Sequence, residues 1–178
     1  MQDTLLINWG NFYVIVGTAA ASLTGLMFVV ITLITGNQAR RSTTGTLGAF
    51  GTPTVVHFGS ALFFAATLSA PWHERWNVAL LVGLAGLGGV IYMIVVTLRA
   101  LRQNDYEPVL EDWVWHTILP FVSYVTFAVA GIVLLFAPIP MLFFVGGAMV
   151  LLLFIGIHNS WDTVTYVTTQ PPENEPQD

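Results

Sequence analysis

Five apolar runs separated by short polar stretches set the pattern of the chain. They read as spans at about residues 11–35, 54–70, 77–98, 113–137 and 141–161, most of them near the roughly 20 residues that carry a helix across about 30 Å of hydrocarbon. The first run is closed by Arg40 and Arg41. The second has two readable starts. Thr52-Pro53 has the form of a cap followed by proline at the first helical position, while the apolar Leu47–Phe50 would start the helix earlier, leaving Pro53 inside it and His57 deeper in the membrane. Pro71 to Trp76 form a turn, Asn77 is placed to cap the third run, and Arg99 and Arg102 end it. Gln103 to Asp112 are the markedly polar loop. The fourth run stops at Ala137-Pro138-Ile139-Pro140, where two prolines lack the donor that would continue a helix. The fifth passes into Ile157-His158-Asn159-Ser160-Trp161-Asp162, turning polar without losing helical spacing, before Pro171 and Pro172 open an acidic tail.

These boundaries predict an all-α membrane protein of five transmembrane helices. Residues 1–169 form one transmembrane helical domain and residues 170–178 a disordered tail. Basic residues stay in the cytosol. Of the five arginines only Arg75 falls outside under that rule, so the N-terminus is expected outside and the C-terminus in the cytosol. Met1 to Trp9 carry no Lys or Arg, and the apolar run that follows continues well past Ala19–Ala21, so a cleaved signal peptide is not expected.

Composition agrees with the pattern. The chain is 55% hydrophobic and only 8% charged, with a mean hydropathy of +0.73, outside the range of soluble domains. The net charge of −5 is concentrated in the tail and the polar loop, and no basic patch for nucleic acid exists. With no cysteine, thiolate metal sites, disulfides and cysteine nucleophiles are excluded.

On the first run, Asn11, Ile15, Thr18, Ser22, Gly25, Val29, Thr32 and Gly36 follow alternating steps of four and three, which aligns them on one helical stripe of mostly small or polar residues. Gly17, Ala21 and Gly25 add a neighbouring ridge. Such stripes let membrane helices approach closely. In an oligomer, Thr18, Ser22 and Thr32 could instead present oxygens to a water-lined path. On the third run the pairs Ala79/Gly83 and Ala85/Gly89 are read as packing positions.

Under this topology His57, His116 and His158 fall toward the cytosolic side. Asp112 lies four residues before His116 and Asp162 four after His158, so each acid can face its imidazole. Pro120 has no amide hydrogen and frees the carbonyl of His116. Neutral imidazoles ligate metal or haem iron, and an imidazole paired with a carboxylate can sense or move protons. The competing reading makes each histidine an interfacial residue bonded to backbone or water, with Asp112 a helix cap and Asp162 solvated. Histidine apart, no ionisable side chain falls inside a span, which argues against a carboxylate-driven transporter, a voltage sensor and a carboxylate-bridged metal pair. Ser160, His158 and Asp162 are two residues apart on one helix and cannot form a catalytic triad.

The segment Ala20–Leu33, above all Leu23-Thr24-Gly25-Leu26-Met27-Phe28-Val29-Val30, resembles the first span of small bacterial multi-span inner-membrane proteins. The resemblance implies a bacterial inner-membrane setting and brings no functional residue with it.

Three functions follow as expectations. The first is a non-enzymatic membrane protein acting by association, as a homo-oligomer or as a subunit modulating a membrane partner. The second is a metal- or haem-binding module using His57, His116 and His158. The third is proton or ion conduction gated by histidine.

Overall fold

The computed structural model describes residues 9–37, 44–101 and 110–169, and among them no strand occurs. Helix α1 is Gly10–Asn37, α2 is Thr44–Ser69 and α3 is Arg75–Ala100. Helix α4, Leu110–Trp113, runs through a π-helical turn, Val114–Ile118, into α5, Leu119–Phe136, so the three make one rod; α6 is Pro138–Thr169.

Four segments are long and apolar enough to cross a membrane: Gly10–Thr32, Arg75–Ala100, Val114–Phe136 and Pro138–Thr165. Helix α2 is not among them, because Thr52, Thr54, His57 and Ser60 dilute its apolar character. Large apolar side chains face outward on several helices, including Leu84 and Ile91 on α3, Val122 and Ile132 on α5, and Phe143 and Phe154 on α6. Water would not tolerate so continuous an apolar exterior. This is a membrane protein.

Individual contacts fix how the rods run. Gly17 on α1 lies against Ala65 on α2, Phe58 on α2 against Gly156 on α6, and Phe64 on α2 stacks on Phe127 of α5 at 3.7 Å. Trp9 meets Phe143 edge-on while Ser160 Oγ lies 3.6 Å from Met27 Sδ, so α1 and α6 run side by side in the same direction. Helices α2 and α6 therefore occupy the middle, with α1 on one flank and the α3–α5 pair on the other.

The tightest interface joins α3 to α5. Gly83 and Gly131 meet backbone to backbone, Gly86 lies on Phe127 and Ala128, and Gly89 lies on the ring of Tyr124. A β-carbon on any of these α3 glycines would enter its neighbour, which is why small residues recur there every three positions. The expected packing roles of Ala79, Gly83 and Gly89 are realised, with the Ala79 carbonyl beside Gly131.

Helix boundaries differ from the sequence expectations where proline or an interfacial turn intervenes. Helix α2 takes the earlier start, with Pro53 inside it rather than at its first position. Asn77 lies within α3; Glu74 occupies the cap position and makes no side-chain cap bond. Trp72 Nε1 donates to the Thr67 carbonyl at 2.6 Å, which also accepts the Ala70 N–H at 3.3 Å, so the end of α2 is closed by a turn and a side chain together. The fourth rod begins at Leu110, before Trp113. Its π turn occupies the residues just before Pro120, where the proline ring would press on the carbonyl of His116 in a regular helix. Between α5 and α6 the break is a single residue, Ala137, with φ −136° and ψ 68°, and Pro138 then serves as the first helical residue. Helix α6 continues through the polar segment at 157–162 to Thr169, so the change of character there happens within one unbroken helix.

Candidate functional site

The buried polar centre of the bundle is built on α2 and α5. His57 sits halfway along α2 and is 0% exposed. Its Nδ1 lies 3.0 Å from the Tyr124 hydroxyl, and the same hydroxyl lies 3.0 Å from Ser60 Oγ. His57 and Ser60 are three residues apart on one face of α2, which lets both reach a single oxygen on α5. Gly89 on α3 leaves room for the Tyr124 ring. Three helices thus place one hydrogen-bonded chain, Ser60–Tyr124–His57, in an apolar surround. A phenol carries one proton, so at least one of its two partners must donate to it.

His116 lies within electrostatic range of His57. His158 faces a different neighbour, stacking on Trp115 with ring centroids 4.0 Å apart and planes 19° apart. Its Nε2 lies 3.1 Å from Asp162 Oδ2, the four-residue pairing expected from the sequence. Both members of that pair are partly exposed, so it contributes little stability. The side chain of Asp112 lies outside the described residues. His116 and His158 do share one level of the bundle, through Trp115. Among the described residues, however, no group of three or more His, Asp or Glu side chains is placed to hold a metal ion, so the metal or haem reading of His57, His116 and His158 gains nothing from the packing.

The first-helix stripe has a different fate from the one close packing would give it. Thr18, Ser22, Gly25 and Thr32 are all exposed, and a β-carbon on Gly25 would meet nothing within 4 Å. Thr32 returns its hydroxyl to the Phe28 carbonyl at 2.8 Å. The neighbouring ridge divides: Gly17 is buried against Ala65 while Ala21 and Gly25 face outward.

Four residues matter here that the sequence reading did not single out. Tyr124 and Ser60 each looked like an isolated hydroxyl in an apolar run. The spacings 57, 60, 64 on α2 and 116, 120, 124 on the α5 rod are helical steps that could have drawn attention to them. Trp115 was hidden by the π turn. Asn159 is 3% exposed, and neither atom of its amide has a hydrogen-bond partner among the described residues. Leaving such a group unbonded costs about 1–3 kcal/mol. Asn159→Leu, close in volume, is therefore expected to raise unfolding stability in detergent by about that amount; a loss of stability would show that the amide is bonded in the membrane.

Comparisons with protein-family models, with curated proteins and with solved structures found no match to this chain.

Proposed function

We propose that the chain is a five-span protein, with its N-terminus outside and its C-terminus in the cytosol, that works by associating with a second copy of itself through the outward stripe of α1. The observation that carries the reading is the exposure of Thr18, Ser22, Gly25 and Thr32 on the helix that flanks the bundle. Thr18/Ser22 and Ala21/Gly25 are each small pairs four residues apart, the spacing at which two membrane helices approach backbone to backbone. In this chain that spacing is spent on the outside. Two copies in one bilayer share orientation, so a twofold axis along the membrane normal would pair each α1 with its own equivalent, Ser22 beside Ser22.

The five-span arrangement is supported by α2 packing lengthwise between α1 and α6 despite its lower hydropathy. Buried polar residues on a central helix face protein rather than lipid, which lowers the cost of placing them in a bilayer. A bacterial inner membrane is the setting in which we place it.

The absence of cysteine makes a topology test direct. Glu74→Cys should react with a membrane-impermeant maleimide added outside intact cells, and Glu111→Cys only after permeabilisation. Native mass spectrometry of protein released from gentle detergent should give an even multiple of the 19.4 kDa chain. Labelling of Glu111→Cys from outside with Glu74→Cys protected would refute the crossing of α2 in this orientation, labelling of both positions from one side would refute that of α3, and a monomer alone would refute the association.

A further inference from the structure

A cavity of about 300 Å³ lies between α2 and α3, lined by Val56, Gly59, Ser60, Phe63, Phe64 and Ala85. It opens sideways, because α2 and α3 touch only sparingly. In a bilayer that opening faces acyl chains. No charged side chain among the described residues lines it, and a β-carbon on Gly59 would meet nothing within 4 Å. The polar side chain in its wall is Ser60, the outer end of the chain that runs through Tyr124 to the buried His57.

Ser123 and Ser160 satisfy their hydroxyls on the carbonyl one turn back, Leu119 at 3.0 Å and Gly156 at 2.7 Å. Ser60 turns to Tyr124 instead. If Ser60 donates to the phenol, its own oxygen keeps lone pairs with which to accept from the cavity. If the proton order is reversed, with His57 Nδ1–H donating to Tyr124 and Tyr124 donating to Ser60, the Ser60 proton is free to donate. A partner that can both give and take one hydrogen bond complements either order. A hydroxyl is such a group, whereas a charged head would enter an apolar wall without a counter-ion.

We infer that this cavity binds an uncharged lipophile bearing a single hydroxyl, which enters from the bilayer between α2 and α3 and sets its oxygen on Ser60. The Tyr124 phenol and the fully buried His57 hold Ser60 in place and let its proton face either way. The body of the ligand lies against Phe63, Phe64 and Ala85.

The test uses the full chain in phosphatidylcholine nanodiscs with a long-chain primary alcohol carrying a photoactivated diazirine, and peptide mass spectrometry to locate the label. Label is expected on α2 around Gly59–Phe63 and on α3 around Ala85. Excess 1-decanol should suppress it about fivefold better than decane, the worth of one neutral hydrogen bond. Ser60→Ala should keep the label and lose that preference, and Gly59→Leu, for which there is open space, should lose the label while the helical circular dichroism is unchanged. Label spread evenly over the outward faces of α1, α3 and α5, or unchanged in Gly59→Leu, would overturn the site. Equal competition by decane and decanol in the wild-type chain would overturn the part played by the hydroxyl.

Discussion

Gly86→Leu is expected to abolish the folded bundle, while Gly88→Leu, two residues along the same helix, leaves it intact. The two glycines face opposite ways. A β-carbon on Gly86 would fall within 2.6 Å of the Phe127 carbonyl carbon and closer still to the Ala128 amide nitrogen. Both are backbone atoms, so no rotamer change relieves the overlap, and α3 and α5 must separate. Overpacking of this kind costs about 3 kcal/mol or more where the backbone itself has to shift. The cost would spread, because Gly83 and Gly131 one turn away touch backbone to backbone, and Gly89 holds the Tyr124 ring that the buried polar chain depends on. Gly88 is exposed with nothing within 4 Å of the added carbon, so its replacement should stay within about 0.5 kcal/mol. Unfolding in mixed detergent, followed by the fluorescence of the six tryptophans, separates the two outcomes.

The second large effect is on assembly rather than folding. Gly25→Leu should leave the single chain folded, since open space surrounds the position, and should weaken self-association tenfold or more. An isobutyl side chain between two closely approaching helices forces them apart at a cost of about 1–3 kcal/mol, and each 1.4 kcal/mol is a factor of about ten in the dissociation constant. Gly17→Leu behaves differently. Its β-carbon would sit 3.1 Å from that of Ala65, so it should loosen α1 from α2 and lower the stability of the monomer itself. Fluorescence energy transfer between labelled copies in vesicles, with unfolding measured in parallel, distinguishes an interface between copies from one within the chain. Equal loss of folding in both variants would place the Gly25 face inside the bundle and contradict its exposure.

How far the molecule can be read from its residues depends on whether the deciding quantity is local. Helical character and membrane class are set by composition and run length, and both are visible along the chain. The α3 packing ridge was legible because Ala79, Gly83 and Gly89 repeat at steps that leave room for a neighbour. The α1 stripe was legible as a pattern but not as a destination, since small residues at four-residue spacing serve an interface within a chain or between chains equally well. Residue spacing shows depth along a helix and leaves azimuth free, which is why His116 and His158 share a level of the bundle while His57 pairs with Tyr124 further in, and no ligand set of three forms among the described residues. His116 lies within the π turn before Pro120, and His57 one turn past Pro53 on α2. Tyr124 was beyond reach for the same reason. Its partners are 64 and 67 residues away in sequence, and only the packing of α3, α5 and α2 brings them to one oxygen.

The polar segment at the end of α6 illustrates the remaining gap. His158 and Asp162 pair as their spacing requires, yet the residue between them that needs explaining is Asn159, buried with its amide unbonded. A buried amide and a partly exposed ion pair occupy adjacent positions because successive residues on a helix point about 100° apart, a consequence of 3.6 residues per turn.

The central claim, that two copies meet along α1, is tested most directly with a single thiol. Ser22→Cys, in a chain otherwise free of cysteine, should form a covalent dimer rapidly under mild oxidation in lipid vesicles, because a disulfide requires the two α-carbons to lie within about 7 Å. Gly88→Cys, equally exposed on α3 but away from the stripe, should give only the slow yield of random encounters at the same protein-to-lipid ratio. Equal yields at the two positions, or none at Ser22, would contradict an interface on α1.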